Sequence, residues 1–239
     1  MSVFIKMDGH MKKILQAAGC TLFALVLLLG LLSGVILAAA GNAGYMNSMF
    51  LRHADPGITG VDVREYPVLA EKITAYLLGR TDTFQTTLTV HGQAREAFSE
   101  KELLHMQDVR NLFSLCRSIL LFCALIVAVC LALSLFRFRP MLFSLARGYV
   151  SISLLIAVLG SVLAVWAAVD FISLFTLFHH LFFTNDLWLL NPKQDLLLQL
   201  MPTSFFVGYA ARIGLCWLIS AAVVFISAIL YLKRRKRQA

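Results

Sequence analysis

Charge is scarce in this sequence. Only 14% of its 239 residues are Asp, Glu, Lys or Arg, and 59% are hydrophobic, whereas soluble domains contain about 25% charged and 45–50% apolar residues. This composition excludes an ordinary soluble domain and is typical of a polytopic membrane protein. The net charge of +8 does not indicate a nucleic-acid partner, because the basic residues cluster beside apolar runs.

The sequence also lacks the common signatures of hydrolytic enzymes. There is no G-x-S-x-G nucleophile elbow and no H-E-x-x-H zinc motif, so neither chemistry is indicated by a motif. No cysteine lies in the polar connections, where disulfides would form. The spacing of Cys116, Cys123 and Cys130 places small side chains on one helix face, which favours helix packing. We expect no metal and no cofactor.

Four long apolar runs are present, at about residues 14–40, 112–136, 149–176 and 205–232. Each is longer than the roughly 20 residues that cross a bilayer as a helix. The first run is too long for the core of a cleaved signal peptide, which spans about 7–15 residues. The sequence therefore predicts an all-α membrane protein, with residues 1–239 forming a single membrane domain of four transmembrane helices.

Basic residues flank these runs in three segments that four crossings would place on one side of the membrane. Eleven of the 21 Lys and Arg lie in three segments: before the first run, between the second and third, and at the end of the chain. They are Lys6, Lys12, Lys13, Arg137, Arg139, Arg147 and the five in KRRKRQA. The positive-inside rule then predicts a multi-pass protein of the cell membrane with both termini in the cytoplasm. Residues 41–111 and 177–204 are expected to lie outside.

The first outer region, residues 41–111, is long enough to fold by itself. Apolar side chains recur at helical spacing within VREYPVLAEKITAYLLG, and Gly79 follows as a stop signal; these side chains are Leu69, Ile73, Tyr76 and Leu77. The pattern predicts an amphipathic helix that caps the bundle or lies on the outer leaflet.

Two further elements are expected before the second span. TFQTTLTV and AREAF lie on either side of His91-Gly92, which predicts a short β-hairpin. In SEKELLHMQDVRNLF, Ser99 and Glu102 have the spacing of a capping box at a helix start. This helix is expected to continue into the second span. The outer region is therefore predicted to be α+β.

The third run is longer than one span requires. A helix that starts at Tyr149 crosses the hydrocarbon core of ~30 Å in about 20 residues and arrives near Asp170. The following FISLFTLFHHLFF either extends a strongly tilted helix or lies in the outer interface as an amphipathic segment. On both interpretations His179 and His180 lie near the outer surface.

Charged residues also lie inside the apolar runs. Arg117 and Arg212 are several residues past the outer starts of the second and fourth runs, where a charge usually faces a bundle interior, a wet cavity or a lipid headgroup. Snorkelling to the headgroups accounts for either arginine alone. Together with Asp170, they suggest a polar cavity that opens to the outer membrane surface.

His105 lies just before the second span, with Asp108 three residues later on the same helix face. Asp108 either polarises an imidazole or pairs with Arg110 or Lys101. Two imidazoles with a pKa near 6.5 can act as base and acid at neutral pH. A metal held by His105, Asp108 and His179 is chemically possible, but these residues do not follow a known ligand spacing.

Two stretches of the sequence resemble the motifs of a known protein family. FSEKELLHMQDVRNLF and FHHLFFTNDLWLLNPKQDLLLQLMPTSFF resemble the two signature stretches of the bacterial lipoprotein intramolecular transacylase family. The four-span layout and the large first outer region are also similar, so the resemblance covers most of the chain. The matching positions are His105, Met106, Asp108, Val109, Phe178, His179, Phe182, Phe183, Asn185, Asp186, Trp188, Pro192, Asp195, Pro202 and Phe206.

The resemblance implies an acyltransferase whose active site faces the outer leaflet and whose partners are diacylated lipoproteins and membrane lipid. It implies transfer of the sn-2 acyl chain from a lipoprotein's diacylglyceryl-cysteine to its own α-amine, which gives the lyso-form. The two functional histidines carry over onto His105 and His179, while His180 falls at a variable position. Asn191 departs from the family pattern, which has an aspartate before the proline.

The hypothesis gives His105 and His179 the roles of base and acid without deciding which is which. Seven further residues are expected to bind or orient the substrate: Asp108, Arg117, Asp170, Asn185, Asp186, Trp188 and Arg212. Two alternatives remain open. In the first, the chain is a non-enzymatic sensor or assembly protein that binds a partner through its outer region. In the second, it is a haem-binding electron carrier with His105 and His179 as axial ligands.

Overall fold

The computed structural model describes residues 8–136 and 139–238, with side chains for all of them except 139 and 140. Predictions made for Lys6, Arg137 and the Arg139 side chain lie outside the described residues. The described chain is helical apart from one two-stranded sheet, which confirms the predicted fold class. The elements are α1 (Gly9–Ala40), α2 (Ala43–His53), α3 (Pro56–Thr59), α4 (Tyr66–Leu77), β1 (Thr87–Val90), β2 (Gln93–Glu96), α5 (Glu100–Phe136), α6 (Arg139–Val169), α7 (Phe171–Phe182), α8 (Leu196–Leu200) and α9 (Thr203–Gln238).

Four of these helices, α1, α5, α6 and α9, have the length and apolar composition to cross a membrane. Each begins before the apolar run that predicted it, because polar residues continue the helix beyond the apolar stretch. Large apolar side chains such as Leu121, Phe122 and Val165 are more than 60% exposed on these helices. Extensive apolar exposure of this kind marks surfaces that contact lipid or another apolar partner.

The third apolar run breaks into two helices. α6 ends at Val169, and Asp170 adopts a non-helical conformation with φ −146° and ψ 78°. The Asp170 carboxylate then accepts a hydrogen bond from the Ser173 N–H (3.0 Å), as an N-cap residue does at the start of a helix. α7 follows as a separate helix that contains His179. The continuous, tilted helix that the sequence also permitted is therefore not formed.

The chain forms two compact units. The first comprises Met1–Leu32, Ile119–Leu163 and Trp217–Ala239. In it, the Tyr149 hydroxyl donates to the Ala221 carbonyl and the Trp217 indole N–H donates to the Leu28 carbonyl, both at 3.0 Å. These bonds join α1, α6 and α9.

Helices α1 and α5 approach each other closely in the same unit. A Cβ added to Gly30 would lie 2.9 Å from the Cβ of Cys123, so only glycine fits there without a shift. Small residues at helix contacts allow backbones to approach in this way. The predicted packing role is confirmed for Cys123, which is 3% exposed.

The second unit comprises Ser33–Ser118 and Ala164–Cys216 and has its own hydrophobic core. The apolar face predicted for α4 is buried in this core, with Leu69 and Ile73 fully inaccessible. α4 ends as the sequence indicated: Gly79 has φ +68°, and the Arg80 N–H bonds to the Ala75 carbonyl at 2.8 Å. This is a Schellman C-cap. Helices α2, α3 and α8, which the sequence did not reveal, supply further core residues.

The predicted hairpin is also present. β1 and β2 are antiparallel, and Val90 pairs with Gln93 across a two-residue turn. The turn residues His91 and Gly92 have φ values of 49° and 79°. Positive φ at both central positions is the requirement of a type I′ turn, whose twist matches that of the strands.

Candidate active site

The first histidine of the site, His105, is positioned by the start of α5. The Ser99 N–H donates to the Glu102 carboxylate (2.7 Å), and the Glu102 N–H donates to the Ser99 hydroxyl (3.4 Å). This reciprocal pair is the predicted capping box. His105 follows one turn later and is only 8% exposed, and its ring Nδ1 is buried without a hydrogen-bond partner among the described residues.

The second histidine, His179, lies in the last turn of α7 and is 6% exposed. Its Nδ1 lies 2.7 Å from the Phe175 carbonyl oxygen, one turn earlier. Because a carbonyl oxygen only accepts, this contact requires a proton on Nδ1. In the neutral imidazole the other nitrogen, Nε2, then carries the free lone pair and can accept a proton.

The two imidazoles lie close together in an aromatic enclosure. Their ring centroids are 6.1 Å apart with an interplanar angle of 31°. Phe183 is 5.5 Å from both rings, and Trp188 lies 4.8 Å from His179. His180 is exposed, and its ring contacts that of Trp188 in a T-shaped arrangement with centroids 5.2 Å apart. Of the two adjacent histidines, the fold therefore brings His179 to His105.

This enclosure changes the acidity of His179. Burial lowers the pKa of the His179 imidazole below its ordinary value of 6.5, because a charged ring is poorly solvated there. The hydrogen bond to Phe175 acts in the opposite direction, and the charge of His180 adds to the lowering of this pKa. His179 is therefore mainly neutral at pH 7.

Asp108 and Asn185 connect the two histidine-bearing segments. The Asn185 amide donates to the Asp108 carboxylate at 2.9 Å, while its own oxygen accepts from the Leu187 N–H at 3.0 Å. Pairing of Asp108 with Arg110 or Lys101, the alternative left open by the sequence, is not formed among the described residues. Arg110 instead pairs with Asp82, and the Lys101 ammonium donates to the Leu189 carbonyl.

The three charges expected to share a polar cavity have separate partners. The Arg117 guanidinium donates to the Leu78 carbonyl, and the Arg212 guanidinium lies 3.8 Å from the centre of the Tyr45 ring. Asp170 caps α7. In residues 8–136 and 139–238, neither arginine forms an ion pair with Asp170. Arg117 also lies about 18 Å further along α5 than His105, at the rise of a helix.

Other residues of the site divide by exposure. Trp188 is half-buried and covers His179, whereas Asp186 is exposed and contributes its carbonyl to the turn that precedes Leu189. Sequence reasoning did not identify Phe175, the hydrogen-bond acceptor of His179. Phe175 lies four residues before His179, so helical spacing could have predicted that the two residues are neighbours on one helix face.

Sequence reasoning also treated Glu102 as a helix cap alone. The structure shows a second hydrogen bond, from the Leu197 N–H to the Glu102 carboxylate at 2.7 Å. No local pattern links positions 95 residues apart in the chain. In the described part of the chain, no three His, Cys, Asp or Glu side chains converge in a group that could hold a metal ion.

These features define an integral membrane protein of four long apolar helices, with two buried imidazoles facing each other at one site. The chain belongs to the lipoprotein intramolecular transacylase family, whose model matches residues 21–206. It is accordingly a bacterial acyltransferase whose substrate is a lipoprotein.

Solved structures are similar over nearly the whole chain. The lipoprotein intramolecular transacylase from Bacillus cereus has a TM-score of 0.70 at 20% identity, covering 97% of this chain and 100% of that one. A variant of that enzyme with one histidine replaced by alanine gives a TM-score of 0.68 at 19% identity, with the same coverage. At this identity the likeness establishes the fold. No match to a curated protein is found by sequence.

Proposed function

We propose that this transacylase moves the sn-2 acyl chain of a diacylglyceryl-modified lipoprotein cysteine to the α-amine of the same cysteine, and that two histidines catalyse the transfer. The observation that carries this proposal is the buried imidazole pair, His105 and His179, whose ring centroids are 6.1 Å apart. Both rings are shielded from water, so their proton affinities and orientations are set by the protein.

The reaction needs no co-reactant. The α-amine gives up a proton to a base, and its nitrogen attacks the ester carbonyl carbon to form a tetrahedral intermediate. The C–O bond to the glyceryl oxygen then breaks, that oxygen takes up the proton that the amine released, and an amide and a free hydroxyl result. Because amine and ester belong to one molecule, holding them in register contributes as much as about 7–11 kcal/mol to lowering the barrier.

The geometry supports His179 as the base. A free α-amine has a pKa near 8 and is mainly protonated at neutral pH. The neutral fraction of the amine is the one that reacts. With Nδ1–H bonded to the Phe175 carbonyl, the neutral ring of His179 presents the Nε2 lone pair to take the proton that the amine nitrogen loses on attack. The lowered pKa of His179 keeps the ring in this neutral form at pH 7.

His105 is then the donor to the ester. Its Nδ1 is buried and has no partner in the described part of the chain. A buried ring nitrogen without a hydrogen bond is costly, and a substrate oxygen would satisfy it. In this proposal the His105 ring donates a hydrogen bond to the developing oxyanion or to the departing glyceryl oxygen.

The remaining site residues orient the substrate. Asp108 and Asn185 hold the two histidine-bearing segments together. The Trp188 indole contacts an acyl chain of the substrate beside His179. Asp186 is exposed next to this bridge, where it contacts the polar part of the lipopeptide. Arg117 and Arg212 contact polar headgroup atoms of the lipid, near the outer end of their spans, and Asp170 acts by shaping the start of α7.

The orientation in the membrane follows from the basic segments. With both termini in the cytoplasm, the imidazole pair faces the outer leaflet, where it meets the diacylglyceryl-modified cysteine of the lipoprotein. This topology is supported by the clustering of eleven of the 21 Lys and Arg in three segments, which four crossings place on the same side. Membrane lipid surrounds the site and forms part of the substrate's environment.

Mass spectrometry of a lipoprotein N-terminus tests the proposal in cells with and without the protein. Regiospecifically labelled diacylglyceryl lipopeptide identifies which acyl chain reaches the α-amine. H105A and H179A are expected to lose the lyso product, whereas H180A, with an exposed imidazole one residue away, retains it. Full conversion by both H105A and H179A would refute the two-histidine mechanism, and relocation of the sn-1 chain would refute the proposed regiochemistry.

A further inference from the structure

We infer that Glu102 is a positioning residue for this reaction, because its buried carboxylate joins the helix that carries His105 to the segment that follows His179. The inference rests on the proposed roles of the two histidines. It gives Glu102 a part in catalysis that goes beyond capping α5.

The carboxylate of Glu102 uses both oxygens at once. Oε2 accepts from the Ser99 N–H and Oε1 accepts from the Leu197 N–H, each at 2.7 Å. Leu197 is the second residue of α8. The side chain is 2% exposed, so these bonds are shielded from water. One acidic group thus satisfies a backbone donor at the start of two helices.

This arrangement explains why a charge is tolerated in the core. A buried carboxylate is costly unless hydrogen bonds compensate it. Here both donors are backbone N–H groups at helix N-termini, where the helix dipole favours negative charge. A glutamine of the same size offers one carbonyl oxygen and an amide that cannot accept, so it preserves only one of the two bonds.

The position of Glu102 links this connection to the reaction. His105 follows three residues later, on the same face of α5 and about 4.5 Å along the axis. Two neighbouring side chains of α5 also bond to the segment after His179: Lys101 to the Leu189 carbonyl and Asp108 to Asn185. Lys101 is exposed and Asp108 only half-buried. Glu102 is the buried member of the three, and hydrogen bonds are electrostatically stronger in such surroundings.

The consequence for catalysis is geometric. If α5 and α8 are not held together, the segment from Phe183 to Leu197 shifts relative to His105. Phe183 and Trp188 belong to that segment and enclose His179. A displacement of about 1 Å between reacting groups can cost about 10²-fold in rate even when the change lies away from the chemistry.

Purified full-length protein in detergent, with a synthetic diacylglyceryl lipopeptide as substrate, provides the test. We expect E102A to lower kcat by about 10²-fold and E102Q by about 10-fold, with KM changed by less than about twofold. E100Q is the matched control, because Glu100 lies in the same first turn but is exposed. S99A removes the hydroxyl of the capping box and keeps the Ser99 N–H, so its kcat should stay within about twofold of wild type.

The outcomes separate the possible explanations. E102Q tests the inference even if E102A does not fold, since glutamine keeps the size and one acceptor. The lost buried hydrogen bond should lower its thermal unfolding midpoint relative to E100Q, so kcat is compared at a temperature at which both proteins are folded. The inference is overturned if E102Q retains the kcat of E100Q, if its loss appears in KM alone, or if S99A loses as much activity as E102Q. Absence of lyso product from the wild-type protein would overturn the proposed function and this inference with it.

Discussion

Trp188 should control how sensitive the enzyme is to acid. Its indole lies 4.8 Å from the His179 ring and helps to exclude water from it. Burial is the main cause of the lowered pKa of His179, so W188A should raise that pKa toward 6.5. A base whose pKa rises is lost to protonation at a higher pH. The variant should therefore lose relative activity as the pH falls.

The size of this effect has a simple upper bound. With a pKa of about 6.5, roughly three-quarters of an imidazole is neutral at pH 7 and roughly a quarter at pH 6. For a fully solvated His179, the fraction of neutral imidazole therefore falls about threefold from pH 7 to pH 6. For the buried ring this fraction falls by less. The ratio of kcat/KM for W188A to that of wild type should fall between pH 7 and pH 6, by at most about threefold.

The ratio is the useful quantity because ionisation of the substrate amine affects both proteins equally and cancels. Lyso product would be quantified by mass spectrometry at low substrate concentration from pH 7.5 to 5.5. H180Q removes a charge that lowers the pKa of His179, so the ratio of its kcat/KM to that of wild type should also fall as the pH is lowered. H91Q changes an exposed turn histidine and should give a flat ratio. A W188A ratio that stays flat or rises toward low pH would refute the assignment of His179 as the base.

Three further results are expected. F50A removes a fully buried ring that stacks on Phe205, and should lower the free energy of unfolding by about 3–5 kcal/mol in detergent, whereas V68A on an exposed site should not. G79A places a side chain at φ +68° and should cost about 1–2 kcal/mol in the same measurement. D108A and N185A should be non-additive by about 1 kcal/mol in a double-mutant cycle on kcat/KM, because each removes the same hydrogen bond; additive losses would contradict that coupling.

Much of the fold could be predicted because it depends on local patterns. The spans follow from apolar length, and the α4 face follows from the spacing of Leu69 and Ile73. The hairpin follows from the strand-forming segments on either side of His91-Gly92. Helices α2 and α8 escaped prediction because they are short and are stabilised by burial in a shared core. Short helices gain little from their own sequence and depend on tertiary packing.

The break at Asp170 lies between these cases. The sequence placed a polar residue where a span of ordinary length would end, and permitted either a tilted helix or a second, separate one. The structure resolves this through one hydrogen bond, from the Ser173 N–H to the Asp170 carboxylate. A cap of this kind competes with helix continuation, and surroundings decide between them.

By itself, the sequence determined a four-span membrane protein, its expected orientation and the two histidines worth testing, since apolar periodicity, charge bias and motif likeness are all encoded in neighbouring residues. Only the tertiary structure decided that His105 meets His179 and not His180, that the Phe175 carbonyl sets the tautomer, and that Arg117, Asp170 and Arg212 have separate partners. It also revealed that Glu102 bonds to Leu197. The physical reason is that burial, ring contacts and hydrogen bonds between distant segments depend on how the chain packs, and no local pattern specifies them.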